Sequence, residues 1–63
     1  MRRTMPFEQA YLDARKHITP RRVAGRWTAR TRVDGTSITR HGTSAEFALR
    51  AAALVVAVIK TKH

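Results

Sequence analysis

The chain has 63 residues, which is enough for one small domain and too short for two. It contains no cysteine, so neither a disulfide nor a thiolate metal site can stabilise it. Thirteen Lys and Arg residues against four Asp and Glu residues give a formal net charge of +9. This charge in a short chain favours a polyanionic partner, namely DNA, RNA or an anionic membrane. A solvated basic surface without a partner is the alternative.

No segment has the pattern of a signal peptide, because Arg2 and Arg3 precede an amphipathic stretch and not an apolar run. The longest apolar segment, residues 51–59, is much shorter than the roughly 20 residues that a membrane-spanning helix needs. We therefore expect a cytoplasmic protein, associated with the nucleoid if it binds DNA.

The first predicted element is a helix over residues 6–18. Pro6 suits the first turn of a helix, where its missing N–H is not needed. The helix should end before Pro20, since the residue that precedes a proline is disfavoured in the α region. Residues 20–25 are interpreted as a short basic connector. The apolar residues of the helix fall on one face: Phe7, Ala10, Tyr11, Ala14 and Ile18.

Residues 26–41 predict a β-hairpin. Asp34-Gly35 is typical of a two-residue type I′ turn, in which both central residues have positive φ. This turn fixes the register from the Val33–Thr36 pair outward. Alternation then gives the hairpin two unlike faces. One face holds Trp27, Ala29, Thr31, Val33, Thr36 and Ile38, with Arg40 at its margin. The other holds Arg26, Thr28, Arg30, Arg32, Ser37, Thr39 and His41.

A second helix is predicted over residues 44–60. Thr43 and Glu46 match a capping box, with Thr43 as the N-cap and Glu46 at the N3 position. Glu46 also predicts an i,i+4 ion pair with Arg50. A strand over residues 54–59, which are rich in β-branched side chains, is the alternative.

This second helix carries two adjoining apolar stripes, so it should be buried on more than one side. One stripe consists of Phe47, Ala51, Leu54, Val55 and Val58, and the other of Ala48, Ala52, Val56 and Ile59. The hairpin can cover one stripe. Either the first helix or a second copy of the chain must cover the other, which predicts a possible homodimer through the C-terminal helix.

The sequence does not indicate an enzyme, a cofactor or a metal site. The cap, the turn and the first helix account for the four acidic residues: Glu46, Asp34, Glu8 and Asp13. Asp13 has a local partner in Lys16 or His17. The three histidines lack the spacing of metal ligands, and no thiol is present.

The basic face of the hairpin is the candidate nucleic-acid site, because a two-stranded ribbon fits the major groove of DNA, about 12 Å wide. Arg30 and Arg32 are candidates for base edges, with Ser37 and Thr39 in support. We expect Trp27 in the core, which leaves no aromatic residue for base stacking and favours duplexes over single strands. The candidates for phosphate contacts are Arg21, Arg22 and Arg26, and His41 completes the basic face. The alternative for each arginine is a solvated charge that discourages aggregation of the sheet.

The segment Gly25-Arg-Trp-Thr-Ala-Arg-Thr-Arg-Val-Asp-Gly35, followed by a strand, a Thr-containing cap and an Ala-rich helix, resembles the AP2-like, arm-type DNA-binding domains of phage tyrosine integrases. The resemblance covers residues 25–57. It implies that a sheet packed on a helix reads the major groove, with Arg26, Arg30, Arg32 and Thr39 at the DNA. That family has a third strand before its helix, whereas here Gly42 leads directly into the cap. The resemblance implies a freestanding module, such as a small phage-type accessory or regulatory protein.

The sequence thus predicts a single α+β domain of the order helix–hairpin–helix (αββα), with the C-terminal helix packed on a two-stranded antiparallel sheet. The function that it favours is binding of duplex DNA through the arginine face. Three other functions stay open: an RNA-binding or ribosome-associated protein, an adaptor or inhibitor that binds an acidic protein surface, and a membrane-surface peptide.

Overall fold

A computed structural model describes residues 6–61, which form two helices and a three-stranded antiparallel sheet. The sheet order is β1-β2-β3, and α2 contacts α1, β2 and β3. The elements are α1 (Phe7–His17), β1 (Arg21–Val23), β2 (Arg26–Val33), β3 (Thr36–Gly42) and α2 (Ala45–Thr61). The predicted α+β class is confirmed, while the sheet has one strand more than the predicted αββα order allows.

Helix α1 falls within the predicted range. Pro6 lies outside the helical region, with ψ of 147°, and its carbonyl accepts the first helical hydrogen bond from the amide of Ala10 at 3.0 Å. The helix ends after His17, because Ile18 is extended. The ring Nδ1 of His17 lies 2.9 Å from the backbone carbonyl oxygen of Asp13, so the contact between these two residues does not involve the carboxylate.

Residues 21–23 form strand β1 where the sequence predicted a connector. Ala24 and Gly25 both have positive φ, 52° and 81°, so they make a second two-residue turn of the kind that suits hairpins. Sequence reasoning missed this turn because alanine is strained at positive φ and is not a turn signal. The strand pairs with the first three residues of β2, from Val23 opposite Arg26 to Arg21 opposite Thr28.

The predicted hairpin is confirmed in both turn and register. Asp34 and Gly35 have φ values of 51° and 78°, and the β2–β3 pairs run from Val33 with Thr36 to Thr28 with His41 as expected. Strand β3 extends one residue further, to Gly42, which pairs with Trp27.

Gly42 brings the end of β3 into close contact with α2. A Cβ atom at this position would lie 2.8 Å from the backbone nitrogen of Ala48 and 3.1 Å from the Cβ of Phe47. No side chain fits at that distance, so a glycine is required here for a packing reason and not for its backbone dihedrals.

The predicted N-cap of α2 is wrong by one residue. Ser44, and not Thr43, caps the helix, since its Oγ accepts a hydrogen bond from the amide of Phe47 at 3.1 Å. Glu46 then occupies the second helical position and forms a 3.0 Å ion pair with Arg15 of α1, in place of the predicted pair with Arg50. The helix is continuous to Thr61, which excludes the strand over residues 54–59.

Small side chains dominate the core, which lets α1 and the sheet approach α2 closely. Six alanines have no exposed surface: Ala10, Ala29, Ala48, Ala52, Ala53 and Ala57. Val33, Ile38 and Val56 add larger side chains, and the half-buried Trp27 packs against this cluster as predicted. Phe7, in the first turn of α1, is 43% exposed and therefore lies outside the core. Its position on the apolar face of the helix had suggested that it would be buried.

Among residues 6–61, the sheet and α1 cover only one of the two predicted stripes of α2. Ala48, Ala52 and Val56 are buried, whereas the other stripe leaves large side chains in solvent. The exposed fractions are 59% for Phe47, 41% for Leu54 and 49% for Val58. Neither helix within residues 6–61 has the length and apolar character needed to cross a bilayer.

Candidate nucleic-acid interface

The sheet has a face that α2 covers, the inner face, and a face that is open to solvent, the outer face. Ala29, Val33 and Ile38 belong to the inner face, since they form one buried cluster with residues of α2. The register and the alternation of side chains place the intervening residues on the outer face. These outer-face residues are Arg21, Val23, Arg26, Thr28, Arg30, Arg32, Ser37, Thr39 and His41.

The structure brings seven of the eight sequence-predicted site residues together on the outer face. They are Arg21, Arg26, Arg30, Arg32, Ser37, Thr39 and His41, and all of them are exposed. Arg22 is the exception, because it pairs with Trp27 and therefore shares the inner side of the sheet at its β1 edge. The sequence could not assign Arg21 and Arg22 to opposite faces of the sheet, because it did not predict that these residues form a strand.

The outer face carries only positive formal charge. It holds four arginines and one histidine, and no Asp or Glu occurs among its residues. Within residues 6–61 the one ion pair closer than 4.0 Å joins Arg15 to Glu46, and both residues belong to the helices. In the part of the chain that the structure describes, no carboxylate therefore contacts the outer-face guanidinium groups, which can bind an external anion without breaking an ion pair there.

Thr28 lies at the centre of the outer face and is nevertheless only 9% exposed. Arg21 and His41 stand directly opposite it on the two neighbouring strands, and Arg26 and Arg30 flank it on its own strand. The long side chains of these neighbours shield the short threonine from solvent. Its Oγ1 lies 3.1 Å from the Nδ1 of His41, which links β2 to β3 across the outer face.

Two depressions meet on the outer face. The groove beside β1 measures about 520 Å³, and it is lined by His17, Thr19, Arg21, Val23, Thr28 and Arg30. The depression toward the hairpin turn measures about 390 Å³, and it is lined by Arg30, Thr31, Arg32, Ser37, Ile38 and Thr39. Arg30 lines both, so its side chain lies between them.

Sequence reasoning placed Thr28 on the basic face but missed three of the residues that shape the groove beside β1: His17, Thr19 and Val23. No local pattern in the sequence could have identified them. Their proximity depends on the end of α1 lying next to the sheet, and on β1, which the sequence did not predict.

Guanidinium and hydroxyl groups are among the side-chain groups that hydrogen-bond to nucleic-acid phosphates. Within residues 6–61, no group of three His, Asp or Glu residues is placed to hold a metal ion. Comparisons of the chain with protein-family models, with curated proteins and with solved structures found no match. The outer face is therefore the feature on which a functional proposal rests.

Proposed function

We propose that this protein binds duplex DNA through the outer face of its sheet. The observation that carries the proposal is the concentration of four exposed arginines on one sheet face that contains no carboxylate. Bringing so many cations together is unfavourable unless an anion partner neutralises them.

The dimensions of the outer face suit the major groove of B-DNA. Arg26 and Arg32 stand six residues apart on β2, so their Cα atoms are separated by about 20 Å. Three strands span about 10 Å from β1 to β3, which is comparable with a groove about 12 Å wide. A sheet of this width can follow the groove with its long axis along β2.

The proposal divides the contacts by position along β2. Arg32, nearest to the hairpin turn, reaches a base edge, where an arginine can bind O6 and N7 of guanine. Arg30, which the sequence also assigned to base edges, lies between this end and the end that binds phosphates. Ser37 and Thr39 lie directly opposite these arginines on β3 and support them. Arg21 and Arg26 bind phosphates at the other end of the face.

Duplexes fit this face better than single strands. Proteins that bind single strands without sequence preference stack bases on aromatic side chains. The outer face has no Phe, Tyr or Trp residue, and Trp27 packs against the core from the opposite side. The resemblance to arm-type domains implies the same use of the sheet, and with it a small accessory or regulatory protein of phage type acting at cytoplasmic, nucleoid-associated DNA.

Two other partners use the same chemistry and are alternatives. Duplex RNA or a ribosomal surface presents phosphates to the same arginines, and an acidic protein surface presents carboxylates. The exposed Phe47, Leu54 and Val58 of α2 favour a protein partner, because apolar side chains grouped on one surface are typical of protein contacts.

The proposal also includes a homodimer through α2. Phe47, Ala51, Leu54 and Val58 are spaced by 4, 3 and 4 residues, which is the spacing of a seam between two helices. In an antiparallel pair centred between Ala51 and Leu54, Phe47 lies opposite Val58 of the partner copy and Ala51 opposite Leu54. Each pair sets a larger side chain against a smaller one. The seam is short, so the dimer should be weak.

The mass in solution tests the dimer. Sedimentation at about 100 µM should show dimers of the wild type and monomers of Leu54→Glu. Leu12→Glu is the matched control, since Leu12 is exposed to a similar extent, 45%, but lies on α1 outside the seam. A wild-type chain that is monomeric at this concentration, or an equal effect of both substitutions, contradicts the dimer.

Fluorescence anisotropy with a labelled duplex DNA, recorded over a series of salt concentrations, tests the proposed function. Binding should weaken steeply as salt rises, because each phosphate contact releases bound counterions. Unlabelled duplex RNA and poly-glutamate are the competitors that distinguish the alternatives. Displacement at lower concentration by either competitor than by unlabelled duplex DNA would replace the DNA proposal with the corresponding alternative.

A further inference from the structure

We infer that the groove beside β1 binds a backbone phosphate of the nucleic acid, seated over Thr28 and between Arg21 and Arg30. The inference rests on the proposed function and names the point at which the sugar–phosphate backbone contacts the sheet. The groove of about 520 Å³ lies between the end of α1 and strands β1 and β2, and its lining includes His17 and Thr19.

Arg21 and Arg30 are placed to bind the same phosphate from two sides. Arg21 lies opposite Thr28, and Arg30 is two residues further along β2 on the same face, so Arg21 and Arg30 form a diagonal pair. Such pairs have Cα atoms about 7–8 Å apart, a distance that two arginine side chains easily span. Each guanidinium can donate two parallel hydrogen bonds to phosphate oxygens.

The base of the groove supplies a hydroxyl group whose position is fixed. Thr28 is 9% exposed, and its Oγ1 lies 3.1 Å from the Nδ1 of His41. That contact holds the hydroxyl between the two arginines. Thr19 adds a second hydroxyl at the rim, and no Asp or Glu lines the groove. Two guanidinium groups with hydroxyls and without a carboxylate form an environment that favours a phosphate.

The connection of the groove to the rest of the outer face favours a polymer over a free anion. Arg30 also lines the depression toward the hairpin turn, where Arg32 and Thr39 lie. A phosphate in the groove therefore has its chain neighbours next to further cations and hydroxyls. A single phosphate ion would use the groove alone and gain nothing from this continuity.

Arg21 and Arg22 provide a matched pair of variants. They are adjacent in sequence, equally charged and both exposed, yet only Arg21 lines the groove, while Arg22 pairs with Trp27 on the inner side. In the anisotropy titration, Arg21→Ala should weaken binding to duplex DNA about tenfold and reduce the magnitude of the salt slope by about one. Arg22→Ala should change the affinity less than about twofold and leave the slope unchanged.

Two further variants distinguish a loss of contacts to the phosphate from an indirect effect on folding. Thr28→Val keeps the shape of the side chain and removes the hydroxyl, and it should weaken binding about threefold. Arg21→Lys keeps the charge without the planar fork, so its affinity should lie between those of the wild type and Arg21→Ala. Thermal melts followed by circular dichroism verify that each variant compared is folded.

The outcomes separate this inference from the function on which it rests. A wild type that binds DNA with a steep salt slope, together with equal effects of Arg21→Ala and Arg22→Ala, overturns the groove and leaves the proposed function. A wild type that does not bind DNA overturns both. Inorganic phosphate is titrated against the complex at constant ionic strength. If calorimetry shows that phosphate binds the complex of the wild type, but not that of Arg21→Ala, without displacing the DNA, the groove is a site for a free anion and the backbone assignment is wrong.

Discussion

The inner and outer faces of the sheet come from the same strands and differ in what their residues can tolerate. On the inner face, Ala29, Val33 and Ile38 are buried against an alanine-rich helix. On the outer face, their immediate neighbours Arg30, Arg32 and Thr39 are exposed. The inner face therefore determines stability, and the outer face is free to be selected for binding. Substitutions of adjacent residues in one strand should therefore affect different properties, namely stability on the inner face and binding on the outer face.

The largest expected contrast in stability is between Ile38 and Thr39. Ile38→Ala removes most of a side chain that is 5% exposed, and should lower the free energy of unfolding by about 2–5 kcal/mol. A domain of this size has about 3–9 kcal/mol in total, so the variant should be partly unfolded. Thr39→Ala, on the outer face, should change stability by less than about 0.5 kcal/mol. Urea denaturation of both variants measures the difference, and similar losses would contradict the assignment of the two faces.

The next contrast concerns the short distance between β3 and α2 at Gly42. Gly42→Ala places a Cβ 2.8 Å from the backbone nitrogen of Ala48, so strand or helix must shift. We expect a loss of about 1–3 kcal/mol. Thr43→Ala, at the next residue, is the control, since Ser44 and not Thr43 caps the helix. A Gly42→Ala variant as stable as the wild type in urea would show that β3 and α2 leave room for a Cβ atom at residue 42, and would contradict the close contact between them.

The smallest expected effect on stability comes from the turn between β1 and β2. Ala24 has φ of 52°, a conformation that costs alanine about 1 kcal/mol and that asparagine tolerates better. Ala24→Asn should therefore raise the free energy of unfolding by about 0.5–1 kcal/mol. Ala24→Val should lower it, because a β-branched residue is disfavoured at positive φ. If thermal melts rank these variants in the opposite order, the turn between β1 and β2 is not of the type described.

The parts of the fold that the sequence predicted correctly are those that local signals control. Asp34-Gly35 suits a type I′ turn, and one turn fixes the register of the whole β2–β3 hairpin. Strand β1 was missed because its turn contains Ala24, a residue that local preferences place elsewhere. The predicted N-cap of α2 was one residue too early, because Thr43 and Ser44 are both good capping residues.

Tertiary packing decided the remaining differences. The preference of Glu46 for Arg15 over Arg50 depends on the approach of α1, which no spacing within α2 reveals. The sequence likewise showed two apolar stripes on α2 without showing which one the sheet and α1 would cover. The position of the candidate residues on one face of the sheet was predicted almost entirely, because alternation in one well-defined hairpin identifies its faces. Two features could not be inferred without the three-dimensional structure: the position of Arg22 on the inner side of the sheet, and the groove beside β1.

The most direct test of the central claim compares two double variants that lose the same charge from opposite faces. Arg30→Ala/Arg32→Ala removes two arginines from the outer face, and Arg22→Ala/Arg40→Ala removes two exposed arginines from the inner side of the sheet. Anisotropy titrations of labelled duplex DNA over a salt series should show at least about a hundredfold loss of affinity for the first variant. The salt slope should fall in magnitude by about one, because Arg30 contacts a phosphate and Arg32 a base edge. The second should bind within a few-fold of the wild type with an unchanged slope. Equal losses in the two variants would show that net charge alone attracts the DNA, and would contradict the outer face as the binding site.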